Sequence, residues 1–255
     1  MIKFFRHIRK SLLEQNKTGK YVKYAIGEII LVMIGILLAL QVNNWNEERL
    51  NKVQINNYLK SLVIDLKSDI ALYERNLNNH NTDIENKSFL LSTKAYKALE
   101  PDSIEVLINS YWSVSSIPNQ TYAKIKSVGL PDVLGTPEID IAVNDYYNKS
   151  VLFYYEFNAY HRRLTERDDM FWNYSSTLEA DIVRVKELEL GHIPYDQPIE
   201  VRKRELIKLV ESTLGRNHIK SALNRAKQGA IVISRFKEDA ENLVQLIEKE
   251  VKNHD

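Results

Sequence analysis

From Ile29 to Leu40 every residue is apolar or glycine, and the run extends back through Ala25, Ile26 and Gly27 past Glu28 and forward past Gln41 to Val42. At about 1.5 Å of rise per residue, Tyr21 to Val42 spans a hydrocarbon core of roughly 30 Å. The pattern therefore predicts a transmembrane helix over residues 21–44. Beyond it, Leu59, Leu62, Leu66, Ile70, Tyr73, Leu77 and Ile84 recur at steps close to three and four, the apolar stripe of one long helix continuous or nearly so with the apolar run. Ahead of it, Ile2, Phe5, Ile8 and Leu12 alternate with Lys3, Arg6 and Lys10, which predicts an interfacial amphipathic helix within a basic segment, residues 1–20.

Pro101 ends the long stripe. Asp102 with Glu105 three residues on reads as an acidic capping box, opening a helix whose apolar face is Ile104, Leu107, Ile108, Tyr111 and Trp112. After a loop from Ser113 to Asn119, a short helix runs from about Gln120 to Val128, with Gly129 as its C-terminal cap. Thr136, Pro137 and Glu138 start the next helix: threonine caps, proline suits the first helical position and the acid complements the helix dipole. Val143, Tyr147, Ser150, Tyr154, Phe157, His161, Leu164, Asp168, Phe171, Ser175 and Leu178 then form a heptad seam with polar interruptions. A loop from Gly191 to Pro198 precedes a helix from Ile199 to Leu214 that stops at Gly215. The last helix, from Asn217, carries Ile219, Leu223, Ala226, Ala230, Ile233, Phe236, Ala240, Leu243, Ile247 and Val251, and is long enough to lie antiparallel along the first long stripe. The fold class expected is all-α: an N-terminal amphipathic helix, one transmembrane helix, and an extended helical bundle over residues 45–255.

Charge orients this arrangement. Lys3, Arg6, Arg9, Lys10, Lys17, Lys20 and Lys23 precede the apolar run against a single acid, Glu14, and Trp45 follows it among asparagines and acids. Positive charge stays in the cytoplasm and tryptophan favours the interface, so the N-terminus is expected inside and the bundle outside, in the periplasm. No small-x-small signal closes the run at Leu38 to Val42, which favours an uncleaved signal anchor over a cleaved signal peptide. A formal net charge of +1 gives no reason to expect a nucleic-acid partner, and the basic excess before the anchor suits anionic lipid head groups. The absence of cysteine excludes disulfides, thiolate metal sites and cysteine nucleophiles.

Candidate chemistry is sparse. The six histidines, His7, His80, His161, His192, His218 and His254, show no HExxH or other metal-ligand spacing, so neither a metal nor a cofactor is expected. His161 and Asp168 share the seam, yet seven residues put them about 10 Å apart along the axis, which favours a polar break that sets register or holds water. Tyr147, Tyr154 and Phe157 belong to an aromatic cluster read as core, with a small-ligand pocket as the alternative. The mixed charges from His161 to Asp169 read as a self-paired solvated face, with anion binding as the alternative. No phosphate loop, nucleophile elbow or kinase signature is present, so no enzymatic activity is expected. Glu28 is the costly residue, an acid inside an apolar span: it either snorkels toward the head groups or offers a protonatable site to a partner helix. Gly27, Gly35 and Ala39 add small residues, the last two at a spacing that permits close helix packing.

The segments GEIILVMIGILLALQVNNWNE, YLKSLVIDLKSDI and TYAKIKSVGLPDVLGTPEIDIAVNDYYN resemble an uncharacterised family of single-span proteins from Bacteroidota, classed as a domain of unknown function. The similarity covers the first third of the chain strongly and the middle more loosely. Lys126, Ser127, Val128 and Gly129 depart slightly from the TYxxLKSSG pattern common in that family. The resemblance implies a Gram-negative inner membrane with the bundle in the periplasm, and it implies no activity. Three functional expectations follow. The first is a membrane-anchored periplasmic interaction or scaffold protein that binds a protein partner or its own copy. The others are a small-ligand-sensing bundle signalling through a partner, and an accessory subunit of an envelope complex using intramembrane Glu28.

Overall fold

The computed structural model describes residues 18–110, 116–127, 134–174, 177–180 and 194–254. The expected amphipathic helix at the N-terminus lies outside them, as do Tyr111, Trp112, Gly129, Ser175 and Gly191. Among the described residues the regular structure is entirely helical. Helix α1 runs Thr18–Ser92, followed by a 3₁₀ turn at Ala95–Ala98, then α2 (Pro101–Ile108), α3 (Gln120–Ser127), α4 (Pro137–Asp145), a π segment at Tyr146–Ser150, α5 (Val151–Asn173), α6 (Ile199–Glu211) and α7 (Thr213–His254).

The chain divides into two units, Met1–Asn56 and Asn57–Asp255. In the first, the apolar part of α1 is long and apolar enough to cross a membrane, with a mean hydropathy of 2.4 over its most apolar window and none of that window buried. Ile29, Leu31, Leu37, Leu38 and Val42 are all exposed, so this apolar surface is not packed into the core of the chain and is compatible with a membrane anchor.

In the second unit, three helices lie along one another. Lys67 meets Glu248 at 2.7 Å, Glu74 meets Lys237 at 3.0 Å, and the Arg216 guanidinium donates to the Leu91 carbonyl at 3.4 Å. Numbers rise on α1 as they fall on α7, so the two run antiparallel, as the length of the last helix suggests. Asn76 donates to Tyr154 at 2.9 Å and the His80 ring meets the His161 ring, so α5 runs parallel to α1. At one end Leu90, Tyr96, Ile104, Trp172, Leu206, Val210 and Ile219 form an apolar cluster.

Helix ends follow local chemistry, with three departures from the sequence reading, the first being that the long helix stops at Ser92, well before Pro101. Thr136 caps α4 by accepting from the Ile139 amide at 3.4 Å, behind Gly135 at φ 90°. At α2 the cap residue is Glu100 and Pro101 takes the first helical position. Asp102 and Glu105 do not close a capping box: each contacts the buried Arg202 guanidinium at 2.8 Å, a stronger claim on a carboxylate than an exposed amide. The junction of α6 and α7 falls at Ser212, whose hydroxyl donates to the Leu209 carbonyl at 2.6 Å and accepts from the Gly215 amide at 2.9 Å. Gly215 is thus inside the first turn of α7 rather than a stop signal. A Cβ there would lie 2.0 Å from the Leu209 carbonyl oxygen, so glycine permits the close backbone approach.

Candidate functional site

The buried seam of α1 runs Leu59, Leu62, Leu66, Asp69, Tyr73, Asn76, His80, Asp83, Lys87 and Leu90, an alternation of steps of three and four with Tyr58 and Leu72 buried beside it. Half of it is polar or charged. The sequence reading placed Ile70, Leu77 and Ile84 in this stripe, but they are half-buried, and the seam takes Asp69, Asn76 and Asp83 one residue earlier. A comparable shift occurs on the partner helix. In the π segment Tyr146 and Tyr147 are both buried, and the seam continues through Val151, Tyr154, His161, Thr165, Asp168 and Trp172. Ser150, Leu164 and Phe171 are displaced from it by one position, whereas Val143, Tyr147, Tyr154, His161 and Asp168 sit where expected. Phe157 is half-buried.

Two polar layers result. The first joins Asp69, Tyr73 and Asn76 of α1 to Tyr146 and Tyr154. Tyr146 donates to Asp69 Oδ2 at 2.9 Å, so the 3.2 Å contact between phenols is donated by Tyr73. Tyr73 stacks on Phe236 of α7 at 6.0 Å and meets the Tyr154 edge at 5.4 Å. Burial, and the nearby Asp65, push the Asp69 carboxyl up to about 7 against the pull of the Tyr146 hydrogen bond. Tyr73 and Tyr146 are pushed well above the usual phenol range, chiefly by burial. Tyr147 stacks on Tyr122 at 4.5 Å.

The second layer is ionic. Lys87 is fully buried; its ammonium contacts Asp83 Oδ1 at 3.2 Å and donates to the Asn109 carbonyl. Asp168 accepts from His218 Nδ1 at 2.7 Å with one oxygen and from Arg225 with the other. The expected gap between His161 and Asp168 is real, and α7 supplies the partners instead. His161 faces His80, with ring centroids 5.9 Å apart, and packs on Phe157 at 4.1 Å. Its ring stays neutral to about pH 4, because burial first, then His80 and Arg225, disfavour the cation. Burial likewise lowers His80 and Lys87, and raises the Asp169 carboxyl to about 6. Sequence reasoning missed Asp69, Asn76, Asp83, Lys87, His218 and Arg225. The signal that could have found the first four is the strict three–four register, which apolar Leu59, Leu62, Leu66, Tyr73 and Leu90 impose on the residues between them.

The remaining candidates stand apart. Gly27 and Gly35 have nothing within 4 Å of a would-be Cβ, Ala39 is exposed, and Glu28 is partly exposed on the same apolar helix. The charge run on α5 divides: Arg162 pairs with Glu166 at 2.9 Å on the surface, while His161 and Asp168 turn inward. An open groove of about 350 Å³ lies beside Ser150, Asp239 and Asn242, and another of about 540 Å³ beside Pro101, Tyr195 and Arg202. Neither is lined by Tyr147, Tyr154, Phe157, His161 or Asp168. Among the described residues, no three histidine or carboxylate side chains gather as a metal site would require.

Among the described residues these features define a helical protein with one apolar helix long enough to cross a membrane and a second unit whose helices meet over buried polar layers. The model of a family of unknown function, DUF6090, matches residues 28–187, more than half of the chain, and the protein belongs to that family. The match contains His80, Lys87, His161 and Asp168, while His218 and Arg225 lie beyond it. No curated protein and no solved structure matches the chain.

Proposed function

We propose that this protein is a non-enzymatic interaction or scaffold protein of the cell envelope. It is held by a single inner-membrane helix at residues 21–44, with its N-terminus in the cytoplasm and an extended bundle in the periplasm. The observation that carries the reading is the division of labour among side chains in the second unit. Its buried charges, Lys87, Asp168 and Arg225, are committed to contacts between or within helices, whereas large apolar side chains stay outside on α5. Leu152, Met170 and Tyr174 are 55%, 65% and 73% exposed. Paired charges held in a packed interior serve architecture, and apolar groups held in water serve association. The partner is another envelope protein or a second copy of the chain, and the bilayer is the third participant.

Crosslinking in intact membranes, followed by purification of the full-length chain, tests this. A discrete heteromeric or dimeric product is expected, weakened by Met170→Lys, which leaves helix content unchanged. Recovery of the monomer alone, with no associated protein, overturns the proposal. Accessory use of Glu28 is the second reading, motivated by a carboxylate within the apolar run of α1. Glu28→Gln leaving the crosslinked product unaltered removes it.

A further inference from the structure

The histidine pair has no part in the proposal above, and its surroundings are unusual for imidazoles. His80 and His161 are 5% and 4% exposed, and their rings meet edge to face from two different helices. His161 Nε2 has no hydrogen-bond partner among the described residues. The third helix closes the site with backbone: a Cβ on Gly229 would lie 2.5 Å from the His80 ring, so α7 presses directly on the imidazole and a side chain at position 229 would have to displace it. Every helix that packs here brings charge. α1 contributes Asp83 and Lys87, α5 contributes Glu166, Asp168 and Asp169, and α7 contributes Arg225, with His218 bound to Asp168.

The charges already present are largely matched to one another. Asp168 spends one oxygen on His218 and the other on Arg225, and Asp83 holds Lys87. A proton added to either ring places a new cation in a closed space that already holds an ammonium and a guanidinium, and the neighbouring ring cannot accept it without the same cost. We infer that His80 and His161 form an acid-sensitive latch, which holds α1, α5 and α7 together while both rings are neutral and releases the contact between α5 and α7 when they are protonated.

The sign follows from linkage. A histidine whose folded form resists protonation stabilises the fold above its unfolded value of 6.5, and that contribution is lost as pH falls from there to about 4. Through His161 alone the unfolding equilibrium constant rises roughly a hundredfold over that interval. Asp169 and Asp69 act oppositely, because their raised values favour proton uptake by the folded chain. The latch must therefore be read at the histidines.

With no cysteine in the chain, spin labels at Arg163→Cys and Lys227→Cys, both exposed positions, report the α5–α7 distance in the full-length protein held in nanodiscs. A narrow distance distribution at pH 7.5 that broadens or lengthens by pH 3.5 is expected. His161→Leu should keep it narrow at both. A distribution unchanged between pH 7.5 and 3.5 in the wild-type chain overturns the latch. So does broadening in His161→Leu equal to that of wild type. If His161→Leu is already broad at pH 7.5, His161→Gln takes its place, and broadening equal to wild type in that variant overturns the latch as well.

Discussion

The two polar layers of the second unit occupy the same heptad positions of the same helix and respond to protons in opposite directions. Around Asp69 the groups are phenols, an amide and one carboxyl, joined by hydrogen bonds that a neutral carboxyl tolerates. Two heptads on, around Asp83, Lys87, Asp168 and Arg225, the groups are paired ions, and burial keeps the His161 imidazole beside them neutral to about pH 4. Burial is the common cause. It favours the neutral form of every titratable group, so it makes an aspartate bind a proton and a histidine lose one. A seam can thus be polar without being sensitive in a single direction, and which pH limb destabilises it depends on which layer is altered.

The largest way to break the comparison is Lys87→Ala. It leaves Asp83 in a buried setting without its ammonium and the Asn109 carbonyl without its donor. A loss of about 3–5 kcal/mol is expected in denaturant unfolding followed by circular dichroism. A loss under 1 kcal/mol would mean that the ionic layer is hydrated. Gly229→Ala should cost about 1–3 kcal/mol through the clash with the His80 ring, and much of that should return in a His80→Ala background, where the clashing atoms are gone. Additive losses would show that Gly229 matters for another reason.

Asp69→Asn separates the layers by pH rather than by magnitude. Since the folded carboxyl titrates at about 7, its favourable contribution is complete below 3.8 and lost as pH rises through 7. The variant should equal or exceed wild type above pH 8 by on the order of 1 kcal/mol and show a flatter profile between pH 4 and 7. The acid limb set by His161 should stay. Smallest is the contrast of neighbouring tyrosines. Tyr146→Phe removes the donor to Asp69 and should cost about 1–2 kcal/mol, whereas Tyr147, whose hydroxyl finds no partner among the described residues, should tolerate phenylalanine within about 0.5 kcal/mol. Equal losses would place an additional partner at Tyr147.

Much of this molecule is legible along the chain, and the reason is that its signals are local. The apolar run of α1, the start of α4 at Thr136 and Pro137, and the core positions of α7 from Ile233 to Ile247 follow from period and capping, which depend on residues within a few positions of one another. The same holds for Tyr147, Tyr154, His161 and Asp168, whose inward placement follows from one heptad frame. The errors have a single physical source. Apolar spacing selects Ile70, Leu77 and Ile84 because it assigns no benefit to a buried Asp69, Asn76 or Asp83. A buried polar side chain is tolerated only when another helix supplies its partner, and that partner is 70 residues or more away for Asp69 and Asn76.

The sequence by itself determined the class of the elements, the long apolar helix and most of the seam on the aromatic helix, since propensity, capping and hydrophobic period act over one or two turns. Only the tertiary structure decided that Val151, Thr165 and Trp172 would take the seam places of their neighbours Ser150, Leu164 and Phe171, that Gly215 would serve close approach rather than termination, and that His80 would meet His161 while Asp168 turned to Arg225. Those outcomes depend on which helices face each other and in which direction, and the energy that selects them is the mutual satisfaction of polar groups that no single helix can satisfy alone.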